Sequence, residues 1–442
     1  MTDASPRPAE QGALAALVRN PLFLWAVFVA VHFWIGYGDL YAPGFPMGDV
    51  NDVYKFWVQH GITSHQWVGL DTSWVYPIVA LLPMVIAYAF GPELYGSTWL
   101  ALVMLVDAGA FAVIMAFGRD RRVIHVAWWW LGMLVCLGPI ALARIDSITV
   151  PVAIVGLLCL ATAPRLAGVL LAVATWIKVW PAALIAAILI ASKDRVRVLV
   201  GALIASVVVV IAAVALGGGP QLLSFVSQQA GRGLQVEAVI ATPWMWAACL
   251  SGNGTYLKYD TTILTYELHG PGVNVAAAIA TPLLVIVVAG LLGLSALAVR
   301  RRVPAPELLP PLLLAITTAL IVFNKVGSPQ FVTWLAVPIV FGLSTAATGR
   351  GMSFRSPAIL GLLIGLSTQA FYPYVYSYLL DLNPTLLVVL SVRNLLYLVL
   401  FGWAVAAVVR LIRQGSELPI DHGSDWLPSV WPFAPVASLR DK

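Results

Sequence analysis

The sequence predicts an all-α integral membrane protein, and three observations predict it. Of the 442 residues, 60% are hydrophobic and only 10% charged, with a mean hydropathy of +0.90; soluble domains carry about 25% charged residues. Apolar runs of roughly 17–25 residues, the length a bilayer-crossing helix needs, recur from Asn20 to Arg410. The basic residues gather in short segments between those runs, where they orient a membrane chain.

The apolar runs place spans near 21–37, 75–91, 95–117, 123–142, 147–163, 166–191, 196–216, 273–299, 308–324, 329–346, 356–374 and 385–410, about twelve in all. The first, "PLFLWAVFVAVHFWIGYG", lacks a small-residue cleavage pattern and reads as a retained helix. With residues 1–20 and the Pro-rich tail 413–442 both cytoplasmic, "KDRVR" (193–197), "RRR" (300–302), "GRGMSFR" (349–355) and "RLIR" (410–413) all fall inside. "GRDRR" (118–122) falls outside and breaks the rule. Either that loop is tolerated, or one stretch between 74 and 191 is miscounted. The short span 147–163 and the proline-interrupted 166–191 are the weakest.

This count divides the chain into a core at 21–216 holding a first extracytoplasmic loop at 38–74, a second large outside loop at 217–272 opened by "GGGP", and C-terminal helices at 273–412. Polar residues crowd one face. There is no tandem or inverted repeat of the kind transporters show. Cys136, Cys159 and Cys249 build no disulfide framework or zinc spacing. The six histidines are dispersed, and no metal site or cofactor is expected. The net charge of +5 reflects inside loops and does not point to nucleic acid.

Within the first outside loop, "GDVNDVYKFWVQHG" (48–61) places Val50, Val53, Tyr54, Trp57 and Val58 on one stripe of a helical wheel. Too short and polar to span, it reads as a flat interfacial helix with its aromatics at the headgroups. Asp49 sits where a carboxylate caps the helix. Asp52 lies off the stripe and is placed to pair with Lys55.

Other polar residues gather on the same face. "DTSWVYPIVALLPM" (71–84) brings Trp74 and Tyr76, "QQAGRGLQVEAV" (228–239) brings Arg232 and Glu237, and "FNKVGSPQFVTWLAVP" (323–338) brings Lys325, Ser328 and Gln330. Arg393 in "LSVRNLLYLVL" lies nine residues into its helix, about 14 Å. At that depth it needs an anion or an internal partner such as Asp107. Arg144 and Asp146 in "ARID" read as an ion pair on the cytoplasmic side, or as site residues if the count slips by one helix. Lys178 in "WIKVWP" lies mid-span and calls for an internal partner.

Taken in order, "GDVNDVY", "WVYPIVALLP", "ARID", "WIKVWP", "RGLQVEA", "NKVGSPQ" and "STQAFYPYVY…VRN" resemble glycosyltransferase family 87, membrane enzymes of the GT-C superfamily, over about residues 20–412. The resemblance implies a GT-C-like bundle in a bacterial plasma membrane, its site facing the extracytoplasmic side. It implies inverting transfer of a hexose, mannose in the related enzymes, from a polyprenyl-phosphate carrier to the hydroxyl of a glycolipid or glycan. Its expected partners are that donor, that acceptor and membrane lipids, with no cofactor beyond the donor substrate.

Carried onto these residues, the catalytic acid of the family falls on Asp49, with Asp52 its rival. The departing phosphate needs cations, which makes Lys325, Arg232 and Arg393 the donor-phosphate candidates. Tyr54, Trp74, Tyr76, Glu237, Ser328 and Gln330 complete the expected substrate-binding set. A transporter or flippase of lipid-linked sugar is the alternative from another class.

Overall fold

The computed structural model describes residues 16–117, 124–251, 254–261, 263–349 and 351–415. The expected segment 118–122 and all but the start of the tail at 413–442 lie outside the described residues. The fold is a helical bundle whose chain passes between two ends, here termed the Asp49 end and the opposite end.

Eight helices are long and apolar enough to cross a membrane: α1 (Pro21–Tyr41), α4 (Tyr95–Phe117), α5 (Ile124–Leu137, extended to Ala141 by a 3-10 turn), α9 (Arg195–Ala215), α12 (Val273–Arg300), α13 (Ala305–Val322), the run Pro329–Ala347 and α17 (Pro384–Gln414). Four shorter helices also run from end to end: α6 (Asp146–Leu158), α7 (Pro164–Ile177), α8 (Pro181–Ala191) and α15 (Arg355–Gln369). The described residues therefore make twelve passages. Helix starts follow local chemistry. Asn20 caps α1 by accepting from the Leu22 N–H at 2.9 Å, and Asn383 caps α17 by accepting from Thr385 and Leu386. In both, proline fills the first helical position, where its missing N–H costs nothing.

Two predicted spans are corrected, and the corrections offset one another. Residues 75–91 do not cross. They form a 3-10 turn at 78–80 and α3 (Leu81–Ala87), and the rings of Tyr76 before them and Trp99 after them both lie against Tyr54. The chain then returns to its starting end. A Cβ on Gly96 would sit 2.9 Å from Asn51 Oδ1, and the Trp99 ring lies 5.4 Å from that of Tyr54. The predicted span 166–191 is two helices. Pro181 has no N–H for the Ile177 carbonyl, Lys178 turns extended, and α7 and α8 fold back as separate passages.

One passage lost and one gained leave α9 ending where the sequence put it. They also move residues 138–146 to the Asp49 end and turn the helix ends flanking 118–122 toward the opposite end. Arg165, Lys193, Arg195, Arg301, Arg355 and Arg413 all lie at that opposite end.

Burial separates core helices from lipid-facing ones. The apolar stretch of α13 is 78% buried and that of Pro329–Ala347 is 89% buried, so these run up the centre. That of α12 is only 17% buried, and α9 exposes Leu203, Ile204, Val207, Val208 and Ile211. An apolar surface on this scale needs lipid against it. Gly168 on α7 and Gly201 on α9 let two backbones touch: a Cβ on either would lie 2.0 Å from a carbonyl oxygen of the other helix.

The second large loop departs from the all-α expectation. It holds the short helices α10 (Ser224–Ala230) and α11 (Thr242–Cys249) and a hairpin, β1 (Tyr256–Asp260) with β2 (Thr265–His269). The strands pair antiparallel, Tyr256 opposite His269 and Tyr259 opposite Tyr266. The stretch 234–236 lies along β2, with the Leu268 N–H donating to the Leu234 carbonyl at 2.9 Å. This pairing ties "RGLQVEA" to the hairpin.

Candidate active site

Six stretches of chain meet at the Asp49 end: the first loop, the 71–80 stretch, the 138–146 turn, the second loop, and the two turns around 325 and 372. The first loop forms one helical segment, π-wound over Asp49–Tyr54 and α-helical over Lys55–Ser64 (α2). The wheel stripe holds: Val50, Tyr54 and Val58 are buried and Val53 and Trp57 half-buried. π-wound segments recur at functional sites because they re-aim side chains.

Asp49 makes no capping hydrogen bond. Its Oδ2 lies 3.1 Å from Nε of Arg144, and its side chain is 41% exposed while that of Arg144 is 7% exposed. Arg144 Nη1 donates to the Pro46 and Ala143 carbonyls, each at 2.7 Å, and Nη2 donates to the Tyr372 hydroxyl. Asp52 is exposed, and among the described residues no ion pair joins it to Lys55.

The expected Arg144–Asp146 pair does not form. Asp146 opens α6 and turns inward, fully buried, where Lys178 Nζ binds it at 2.6 Å and the Trp334 indole N–H donates to its other oxygen. Arg144, in the turn before α6, faces the first loop instead. Placing "ARID" on the cytoplasmic side followed from the miscounted helices; it lies at the Asp49 end.

A chain of hydroxyls links these groups. The Ile145 N–H donates to Tyr54 Oη at 3.3 Å, and the hydroxyls of Tyr54 and Tyr76 interact with each other. Burial pushes both phenols well above their ordinary pKa, and the nearby Asp49 charge adds to it. Both therefore stay protonated donors. The Lys178 ammonium is boxed by the rings of Tyr76 at 5.9 Å, Phe331 at 5.3 Å and Trp334 at 5.7 Å. Trp74 is 2% exposed and packs edge-on against Trp57 and Tyr76, so it shapes the wall.

The second loop supplies Arg232, whose charge reaches Tyr76 and whose buried Nε has no hydrogen-bond partner. Glu267 of β2 accepts from the Gly233 N–H at 2.7 Å and fixes that turn. The Lys325 carbonyl accepts from the Gln235 N–H at 3.0 Å. A Cβ on Gly327 would collide with Ala238 N at 2.0 Å, so "NKVGSPQ" packs directly on "LQVEA". Burial lowers the Lys325 pKa, and Glu267 partly restores it. Ser328 is half-buried, and Gln330 is buried in the helical stretch that follows.

Arg393 finds an internal partner, and it is Glu237. Nη1 lies 3.3 Å from Glu237 Oε2, Nη2 donates to the Glu237 carbonyl at 2.9 Å and Nε to Asn394 Oδ1 at 3.0 Å. Asp107, the acid considered for it, pairs with His32 Nε2 at 3.0 Å. The Tyr376 hydroxyl donates to Glu237. Glu237 and Arg393 thus bind each other; neither is paired with Arg232.

Sequence reasoning did not name Tyr372 or Asp39, and it made Arg144 and Asp146 site residues only if the count slipped by one helix, as it does. Asp39, on the last turn of α1, is 3% exposed, neither carboxylate oxygen has a hydrogen-bond partner among the described residues, and the Arg144 charge reaches it. The available signal was charge beside a helix-breaking residue: Arg144 and Asp146 follow Gly138-Pro139, and Lys178 precedes Pro181.

Residues 74–237, from Trp74 to Glu237, match the family described as Glycosyltransferase family 87. That match supports membership of glycosyltransferase family 87. The chain is a membrane glycosyltransferase, and the matched segment carries Tyr76, Arg144, Asp146, Lys178 and Arg232. Neither the search of curated proteins nor that of solved structures finds a match.

Proposed function

We propose that the chain transfers a hexose, mannose by the family resemblance, from a polyprenyl-phosphate carrier to a hydroxyl of a glycolipid or glycan, with inversion. One observation carries the reading: Asp49 is half-open on one side and held on the other by a buried arginine. Of the other acids nearby, Asp146 and Glu237 are buried and already paired, and Asp39 is only 3% exposed. A carboxylate with one fixed oxygen and one accessible oxygen suits a base that must meet an incoming hydroxyl.

In the proposed step the acceptor O–H gives its proton to Asp49 as its oxygen attacks the anomeric carbon. The bond from that carbon to the phosphate oxygen breaks, and its electron pair leaves with the polyprenyl phosphate. The growing negative charge needs positioned donors. Arg232, with its unpartnered Nε, and Lys325 are the cations assigned to it, and the Tyr76 hydroxyl supplies a neutral donor between Asp49 and Arg232. Asp52, exposed and without an ion pair among the described residues, is the alternative base. Arg393 is left out of the phosphate set because its donors are spent on Glu237 and Asn394. Ser328 and Gln330 are retained as sugar contacts at the turn that carries Lys325.

The Asp49 end is read as extracytoplasmic in a bacterial plasma membrane, since the basic helix ends cluster at the other side. The donor assignment is tested by supplying membranes containing the chain with radiolabelled polyprenyl-phosphate mannose, polyprenyl-phosphate glucose or a nucleotide sugar, plus glycolipid acceptors. Label moving to the acceptor from a lipid-phosphate sugar is expected. Transfer from the nucleotide sugar alone would overturn the donor class.

A further inference from the structure

We propose that Arg144 is a positioning residue: it sets the carboxylate of Asp49 rather than binding substrate. The inference rests on the reading of Asp49 as base. A guanidinium has five N–H donors in a rigid plane. Four are accounted for, by Asp49 Oδ2, the Pro46 carbonyl, the Ala143 carbonyl and the Tyr372 hydroxyl. The side chain is 7% exposed. With one N–H left and its side chain buried, such a group has no room to swing onto a lipid phosphate, unlike Arg232.

The contacts of Arg144 come from three separate segments. Pro46 and Asp49 belong to the first loop, Ala143 to the turn before α6, and Tyr372 to the turn after α15. The first loop also presses on this last turn, where a Cβ on Gly44 would lie 2.2 Å from the Pro373 carbonyl oxygen. Arg144 thus ties the backbone just before Asp49 and the Asp49 carboxylate to one rigid plane. Because Nε holds Oδ2, Oδ1 is the oxygen left toward the open side. A base displaced by about 1 Å costs on the order of 100-fold in rate, which is the effect a positioning group controls.

The test is a cycle of variants in purified, reconstituted chain, reading donor KM, kcat and end-point radiolabel transfer. Arg144→Gln is expected to lower kcat by about 100-fold while donor KM moves by less than about threefold. Arg144→Lys keeps the charge but not the planar fork, and is expected to recover less than a tenth of wild-type kcat. In an Asp49→Asn background Arg144→Gln is expected to cost nothing further, because it acts only through Asp49. A general structural defect would instead add its loss to that of Asp49→Asn, and would overturn the proposal. Full activity in Arg144→Lys would also overturn it, leaving charge alone as the requirement. If the Arg144 variants do not fold, Tyr372→Phe decides. It keeps the ring, removes one tether, and is expected to lower kcat about tenfold only when Asp49 is present. Wild-type kcat there would sink the inference. Failure of the parent reading looks different: Asp49→Asn would itself transfer at the wild-type rate.

Discussion

Replacing Arg393 with methionine should damage the fold and spare donor recognition. The side chain is 1% exposed and joins α17 to the second loop through Glu237, itself 3% exposed. Methionine removes three hydrogen bonds, at 3.3, 2.9 and 3.0 Å, and the guanidinium lying 5.3 Å from the Phe371 ring. Breaking a buried pair by removing one partner costs about 3–5 kcal/mol, because the other charge is stranded.

The deficit should depend on pH, and the sign is fixed by Glu237. Burial raises its pKa above the ordinary 4.5, against the pull of Arg393. The folded chain therefore holds that proton more tightly than the unfolded chain, and this contribution fades as pH rises through the raised value. Without Arg393 the pull is gone and the pKa climbs further. The stability deficit of Arg393→Met should then shrink from an alkaline to an acidic pH as Glu237 takes a proton. The double variant with Glu237→Gln should lose less than the sum of the singles, by about 0.5–3 kcal/mol. Folded protein remaining after timed heating in detergent, measured at both pH values beside donor KM, checks this. Wild-type heat resistance with a donor KM raised tenfold or more would refute the reasoning and return Arg393 to the phosphate.

Two further outcomes follow from the geometry. Burial lowers the Lys325 pKa below the ordinary 10.5, so its charge is lost at a lower pH than for an exposed lysine. Donor KM should rise on the alkaline side, and Lys325→Arg should flatten that rise; a pH-independent KM in the wild type would contradict its phosphate role. At the α7–α9 contact a Cβ on Gly168 would stand 2.0 Å from the Val198 carbonyl. Gly168→Ala should therefore cost about 1–3 kcal/mol of stability, and unchanged heat resistance would contradict the close approach.

Ten of the twelve passages were legible one by one because a membrane span is written in composition: about 20 apolar residues have few other uses in a chain. Composition misled where length did. Residues 75–91 are apolar enough to span, yet Pro77, Pro83 and the turn at Gly91 keep the helical stretch short. Residues 166–191 are long enough for one tilted helix, and only Pro181 betrays two. The first-loop stripe was legible from Val50 to Val58 because one face of a short helix needs only local spacing. Asp49's partner was not legible, since Arg144 reaches it across 95 positions and a turn whose side depended on the helix count. The hairpin at 256–269 was hidden for a related reason. Its strands are five residues each, and their polar faces look like loop until 234–236 pairs alongside.

The central claim is that Asp49 takes the acceptor proton. Its most direct measurement is the initial rate of sugar transfer by Asp49→Asn and Asp52→Asn chains in reconstituted membranes, with donor binding followed in parallel. The account predicts that Asp49→Asn binds donor as the wild type does and transfers about 10²–10⁴-fold more slowly, while Asp52→Asn stays within a few-fold. Transfer by Asp49→Asn at the wild-type rate, or a collapse confined to Asp52→Asn, would contradict it.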